Sequence, residues 1–116
     1  MKTGTPTTVE ISYDGPTKIC RVRGAIEAWN CAEVVRQIDP QGGERMLVDI
    51  AGVREVDSTG LGALIDIYQQ VLHRGARLAY TNPSPSVKRL LETTRLCRYF
   101  TILDDPDSIE SFKLAE

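Results

Sequence analysis

Asp57-Ser58-Thr59-Gly60-Leu61-Gly62 sets one carboxylate beside two hydroxyls and places two glycines directly after them. Those residue types suit three kinds of chemistry: capping a helix, carrying a phosphoryl group on a hydroxyl, and nucleophilic attack by a serine. A serine nucleophile needs a base within hydrogen-bond reach. The only histidine, His73, stands at the far end of the apolar helical pattern that follows, about 22 Å from Ser58 at ~1.5 Å per residue. There is no GxSxG elbow, no GxxxxGKS/T phosphate loop and no pair of histidines at zinc spacing. No catalytic residue is assigned, and the chain is not expected to be an enzyme.

Capping accounts for part of the cluster. The side-chain oxygen of Asp57 or Ser58 can accept from a backbone N–H one turn into the helix. One cap needs one oxygen, and three oxygen-bearing side chains are present. Gly60 and Gly62 each weaken a helix by about 1 kcal/mol relative to alanine. Without side chains there, another surface could approach the backbone, so the cluster reads as a contact site. The N–H groups and positive dipole end of a helix start also favour an anion, including a phosphate on one of the chain's own hydroxyls. Asp49, Asp57, Asp104 and Asp105 could form an acidic cluster, but acids at strand ends more often cap loops. Neither a metal nor a cofactor is expected.

The elements that must hold this cluster follow from periodicity. Val9 to Tyr13 and Lys18 to Arg23 alternate around a turn at Asp14-Gly15-Pro16, which predicts a hairpin. Asn30 precedes a helix with Glu33 at its third position and Cys31, Val34, Val35 and Ile38 on one face; Pro40 and Gly42-Gly43 end it. Met46 to Ile50 is an apolar run suited to a strand covered on both faces. A helix from about Ser58 to Arg74 turns Leu61, Leu64, Ile65, Tyr68 and Leu72 inward, with Gly75 as its left-handed terminus. Leu78 to Thr81 is a strand, and Ser84-Pro85 starts a helix with Val87, Leu90, Leu91 and Thr94 at helical spacing. Tyr99 to Leu103 is the last strand, and Asp105-Pro106 opens a short helix carrying Ile109 and Phe112. Alternation of strands and helices with short connections predicts a largely parallel α/β sheet. Sites in such sheets lie at the carboxyl ends of strands, where the cluster falls.

Composition narrows the function. The 116 residues suffice for one domain, expected over 1–116 with its core at about 8–112; 41% are hydrophobic and 26% charged, as in a globular protein. A net charge of −2 gives no general attraction to nucleic acid or anionic membranes. No apolar run approaches the ~20 residues of a membrane span. The start, MKTGTPTTVE, has no hydrophobic signal region, so a cytoplasmic location is expected. Cys20, Cys31 and Cys97 are expected to be small buried side chains in a reducing compartment.

The blocks Leu47-Val48-Asp49-Ile50-Ala51-Gly52-Val53, Val56-Asp57-Ser58-Thr59-Gly60-Leu61-Gly62, Gly75-Ala76-Arg77-Leu78 and Asn82 to Leu91, continuing into Glu92-Thr93-Thr94-Arg95-Leu96, occur in that order. Together they resemble the STAS domain of bacterial anti-sigma factor antagonists, from about residue 8 to residue 112. The resemblance implies a single STAS-type α/β domain: a mostly parallel sheet of four to five strands with an N-terminal hairpin strand, flanked by about four helices. It implies that Ser58 is phosphorylated by a partner serine kinase that is also the anti-sigma factor, with Thr59 as the second choice, and that a phosphatase reverses the modification. It implies a contact surface of Glu27, Asp57, Ser58, Thr59, Gly60, Leu61 and Gly62. Unphosphorylated, such a protein binds the kinase and frees a sigma factor; phosphorylated, it lets go.

Two departures from the family pattern stand out. Gly24-Ala25-Ile26-Glu27 replaces the usual Gly-Glu-Leu-Asp, and Thr94-Arg95-Leu96 lacks the glycine that usually ends the third helix. The alternative within the family is a scaffold or accessory subunit of a stressosome or lipid-transport complex with no phosphoswitch. An aspartyl-phosphate receiver ranks lower, because the paired early acids and late lysine are missing. Trp29, just before Asn30, is expected to staple onto Val34 rather than stand exposed as an interface anchor. Arg54 and Glu55 are expected in a solvated loop before the cluster.

Overall fold

The computed structural model describes residues 6–115; the expected domain limits at 1 and 116 lie outside them. Five strands form one sheet in the order β1-β2-β3-β4-β5: β1 Thr8–Asp14, β2 Thr17–Ile26, β3 Arg45–Val56, β4 Arg77–Thr81 and β5 Ile102–Leu103. Only β1 runs antiparallel to its neighbour, and the other pairs are parallel. The helices are α1 Cys31–Ile38, α2 Ser58–His73, α3 Pro85–Thr93 and α4 Pro106–Leu114. α1 packs beside α2, and α3 sits against β3. This is the mostly parallel five-stranded sheet with an N-terminal hairpin that the alternation predicts.

Local chemistry explains the boundaries. Gly15 at φ +58 followed by Pro16 makes the two-residue turn between β1 and β2, in the arrangement whose first central residue must be glycine. α1 ends at Asp39, which is left-handed, and the buried Lys18 ammonium donates to the carbonyls of Ile38 and Asp39. A cation against the last carbonyls of a helix meets its negative end. Gly75 at φ +79 closes α2.

Several expectations need correction. α2 buries Gly60, Leu64, Ile67, Tyr68 and Val71; Leu61 and Ile65 pack at the core's margin, and Leu72 is exposed. The inward stripe is therefore rotated from the one predicted. The expected last strand shrinks to Ile102–Leu103, because Leu96–Arg98 form a 3₁₀ turn and the rings of Tyr99 and Phe100 pack edge-on against Tyr68. Arg54 and Glu55 belong to β3 rather than to a loop, though both remain exposed. Of the cysteines only Cys20 is buried, its thiol pushed up to about 11 by desolvation; Cys31 is half-buried and Cys97 exposed.

Arg95, at the position where the family resemblance implies a glycine, is left-handed at φ +63. A non-glycine residue there is strained by about 1–2 kcal/mol, partly offset by the greater unfolded-state freedom of glycine. Arg95→Gly should therefore stabilise the fold by about 0.5–1 kcal/mol. A urea unfolding midpoint that stays put or falls would show that the arginine side chain repays its conformation.

Candidate functional site

β2 and β3 run parallel to a common end, with Ile26 beside Val56, and each then enters a helix. Two helix starts are thereby set side by side at the carboxyl edge of the sheet. β3 pairs with β4 only over Arg45 to Asp49, so beyond that point its strand pairing is with β2 alone, while the Ser84 and Ser86 hydroxyls donate to the carbonyls of Val53 and Arg54.

Asp57 joins the two helix starts. One carboxylate oxygen accepts from the Gly60 N–H at 2.7 Å, capping α2, and the other accepts from the Ala28 N–H at 3.0 Å in the connection to α1. Its own N–H lies 3.4 Å from the Ile26 carbonyl. Of the two capping candidates, the structure uses Asp57 as the cap and leaves Ser58 as the first residue of the helix, exposed to solvent. Thr59 is exposed beside it.

The two glycines, alike in sequence, have different surroundings. A Cβ on Gly60 would stand 1.9 Å from the Ile26 oxygen and 2.7 Å from its carbon, whereas a Cβ on Gly62 meets nothing within 4 Å. The close approach expected at Gly60 is made by this chain's own β2, and Gly60 is buried. Gly62 is open. Leu61 is half-buried against the core between them.

The facing lip is the connection Glu27 to Asn30. Asn30 is the residue before α1, but its side chain does not cap that helix: Oδ1 accepts from Glu27 N, and Nδ2 donates to the Ala25 carbonyl and Thr7 Oγ. Nor does Glu33 reach back to form a capping box; it pairs with Arg36 instead, which holds its carboxyl below the usual range. Asn30 thus folds the loop onto the end of β2. Gly24, with φ +111 and Thr7 pressed against the place a Cβ would occupy, is needed for the same closure. Trp29, expected to staple onto Val34, is 55% exposed, and its indole N–H donates to a Glu27 carboxylate oxygen at 3.0 Å. The staple fails because the turn closed by Asn30 points the ring outward.

The site therefore gathers Glu27, Asp57, Ser58, Thr59, Leu61 and Gly62 around one edge, with Gly60 beneath. The other acids lie apart in separate pairings. Asp49 accepts from Ala51 N and pairs with Arg21 at 3.6 Å, Asp104 pairs with Lys88, and Asp105 caps α4 through Ser108. Among the described residues no three such side chains are grouped to hold a metal. His73 is the last residue of α2, at the opposite end from Ser58. The groups that no side-chain pattern could have flagged are the backbone carbonyl of Ile26 and the backbone N–H of Ala28.

A family model described as STAS domain matches residues 8–109. The chain is similar to an anti-sigma F factor antagonist of Paenibacillus polymyxa, at 24% identity over 101 residues, covering 84% of this chain and 86% of the relative. The fold is similar to the crystal structure of an anti-sigma factor antagonist from Mycobacterium paratuberculosis, with TM-score 0.81 and 16% identity over 93% of this chain and 95% of that one. It is also similar to the Bacillus cell fate determinant SpoIIAA solved in its phosphorylated form, with TM-score 0.63 and 14% identity over 92% and 99% of the two chains.

Proposed function

This chain belongs to the STAS domain family, and from that premise we propose that it is an anti-sigma factor antagonist switched by phosphorylation of Ser58. Unphosphorylated, it docks on an anti-sigma factor that is also a serine kinase and so frees a sigma factor; phosphorylated, it lets go, and a phosphatase resets it. It acts in the cytoplasm as one STAS domain with its core over about 8–112 and has no catalytic activity of its own. Among the described residues no helix is long and apolar enough to cross a membrane.

The observation that carries this reading is the exposed Ser58 hydroxyl at the first position of α2, immediately after an acid already committed to the cap. A phosphate there adds about −1.5 to −2 charges. The helix start favours that charge by about 0.3–2 kcal/mol, while Asp57 repels it by about 1–5 kcal/mol at ~6 Å, according to the local dielectric. These oppose each other within the domain, and neither is large enough to unfold it. A docked surface fares worse, because covering a dianion strips its water unless the partner supplies arginines. The contact surface comprises Glu27, Asp57, Ser58, Thr59, Leu61 and Gly62, with Gly60 acting from below.

The experiment is kinase labelling and pull-down with wild type, Ser58→Ala and Ser58→Asp. Ser58→Ala should lose labelling and keep binding, and Ser58→Asp should weaken binding at least about tenfold, the equivalent of ~1.4 kcal/mol. Labelling that persists in the double variant Ser58→Ala, Thr59→Ala would overturn the proposal.

A further inference from the structure

The sheet has two unequal edges. β5 is two residues long, whereas β1 offers seven, with no proline, no lysine and an unbroken register against β2. Long outer strands are usually blunted by such devices, because their free N–H and C=O groups invite another strand.

The turn fixes which groups are free. Asp14 and Thr17 close a two-residue loop, so they exchange hydrogen bonds. The alternation of an antiparallel ladder then turns the backbone groups of Thr8, Glu10, Ser12 and Asp14 toward β2. Those of Val9, Ile11 and Tyr13 point outward, and no other described backbone group bonds them. The same three residues share the face of Val22, Cys20 and Lys18, their cross-strand partners. Ile11 is 40% and Tyr13 67% exposed.

We propose that β1 pairs antiparallel with β1 of a second copy about a two-fold axis through Ile11, joining two sheets into one. The strand is self-complementary in this register alone. Val9 faces the partner's Tyr13, Ile11 faces the partner's Ile11, Glu10 faces the partner's Ser12 and Thr8 faces the partner's Asp14. Each of the first two kinds of pair exchanges main-chain hydrogen bonds between groups otherwise left to solvent. Sliding by two residues one way sets Glu10 against the partner's Glu10; sliding the other way sets Glu10 against the partner's Asp14. Like charges directly opposite disfavour the first. In the second, Asp14 is already paired with Lys113 at 3.2 Å, but either slide leaves only part of the seven-residue strand overlapping and gives up cross-strand pairs. A slip of one residue faces outward backbone groups with groups already bonded to β2, and it moves the apolar stripe to the other face. A symmetric strand with acids excluded from its own reflection fits a copy of itself better than an unrelated strand. One strand pair is a small interface, so the dimer is weak and set by concentration.

The test is sedimentation equilibrium of the purified full chain over a wide concentration range. Wild type should shift reversibly from monomer to dimer. Ile11→Pro removes an outward N–H, which an edge strand tolerates; it should weaken association at least about tenfold while circular dichroism stays unchanged. Ser12→Lys places a cation opposite Glu10 twice per dimer and should tighten it about three- to tenfold. Should Ile11→Pro disturb folding, Ile11→Lys, which sets two ammonium groups face to face, should weaken association to a similar extent in a folded chain. A monomer at every concentration, a dimer indifferent to the position-11 change in a folded chain, or no tightening by Ser12→Lys would each overturn the proposal.

Discussion

Replacing Gly60 with alanine should destabilise the fold by more than about 3 kcal/mol, the range of severe overpacking, while the same change at Gly62 should stabilise it by up to about 1 kcal/mol. The atoms in the way at Gly60 are the backbone oxygen and carbon of Ile26, at 1.9 and 2.7 Å from the added carbon. They cannot swing aside like a side chain, because Ile26 is held in β2 beside Val56 of β3. Relief requires α2 to lift from the end of the sheet, and lifting it with its Asp57 cap breaks the bond from the Ala28 N–H to Asp57 and the one from the Asp57 N–H to the Ile26 carbonyl. At Gly62 an alanine meets nothing, and only its better helix propensity is felt. Urea unfolding of both variants measures the contrast, and midpoints that move equally would contradict it. On the proposed contact surface, Gly62→Ala should weaken partner binding in a chain more stable than wild type, which separates a role in docking from a role in folding.

The second large effect is expected at Asp57. Asp57→Ala removes a helix cap worth about 1 kcal/mol and a charge-assisted bond to Ala28 of about the same size at this partly exposed position, a loss of about 2 kcal/mol. Asp57→Asn offers one acceptor oxygen, which can serve Gly60 or Ala28 but not both, so it should lose roughly half as much. Chemical denaturation gives the stabilities, and exchange of the Ala28 and Gly60 amides shows which bond Asn keeps. Equal stability of Asp57→Asn and wild type would mean that the bridge contributes nothing. Loss of the bond to Ala28 also frees the Glu27 to Asn30 connection. Partner binding should therefore fall in Asp57→Ala even though Ser58 is untouched.

What was legible in the sequence was whatever depends on near neighbours. The order of strands and helices, the hairpin at Gly15-Pro16, the end of α2 at Gly75 and a cap at the cluster all follow from periodicity and turn chemistry. Illegible was whatever a distant strand decides. Gly60 and Gly62 look alike until β2 places a carbonyl over one of them. Asn30 looks like a helix cap until Ala25 and Thr7 claim its amide group, and with it the orientation of Trp29. The last strand was overestimated because Tyr99 and Phe100 have strand-like side chains, yet the aromatic packing around Tyr68 uses them in a turn. The resemblance to a family singled out Ser58 as the residue proposed to be phosphorylated, but could not say that the adjoining acid places both oxygens on backbone N–H groups of its own chain.

The exposed indole of Trp29 has a practical corollary. It is the chain's one tryptophan, 55% exposed already in the native state and one residue from the amide that Asp57 holds. Its emission should be red-shifted before denaturation begins and change little in colour as the chain unfolds. A protein settling over the Glu27 side of the proposed contact surface would dehydrate the ring and move its spectrum to the blue. Nature has thus left the molecule with an intrinsic optical gauge that is nearly blind to folding and sensitive to company.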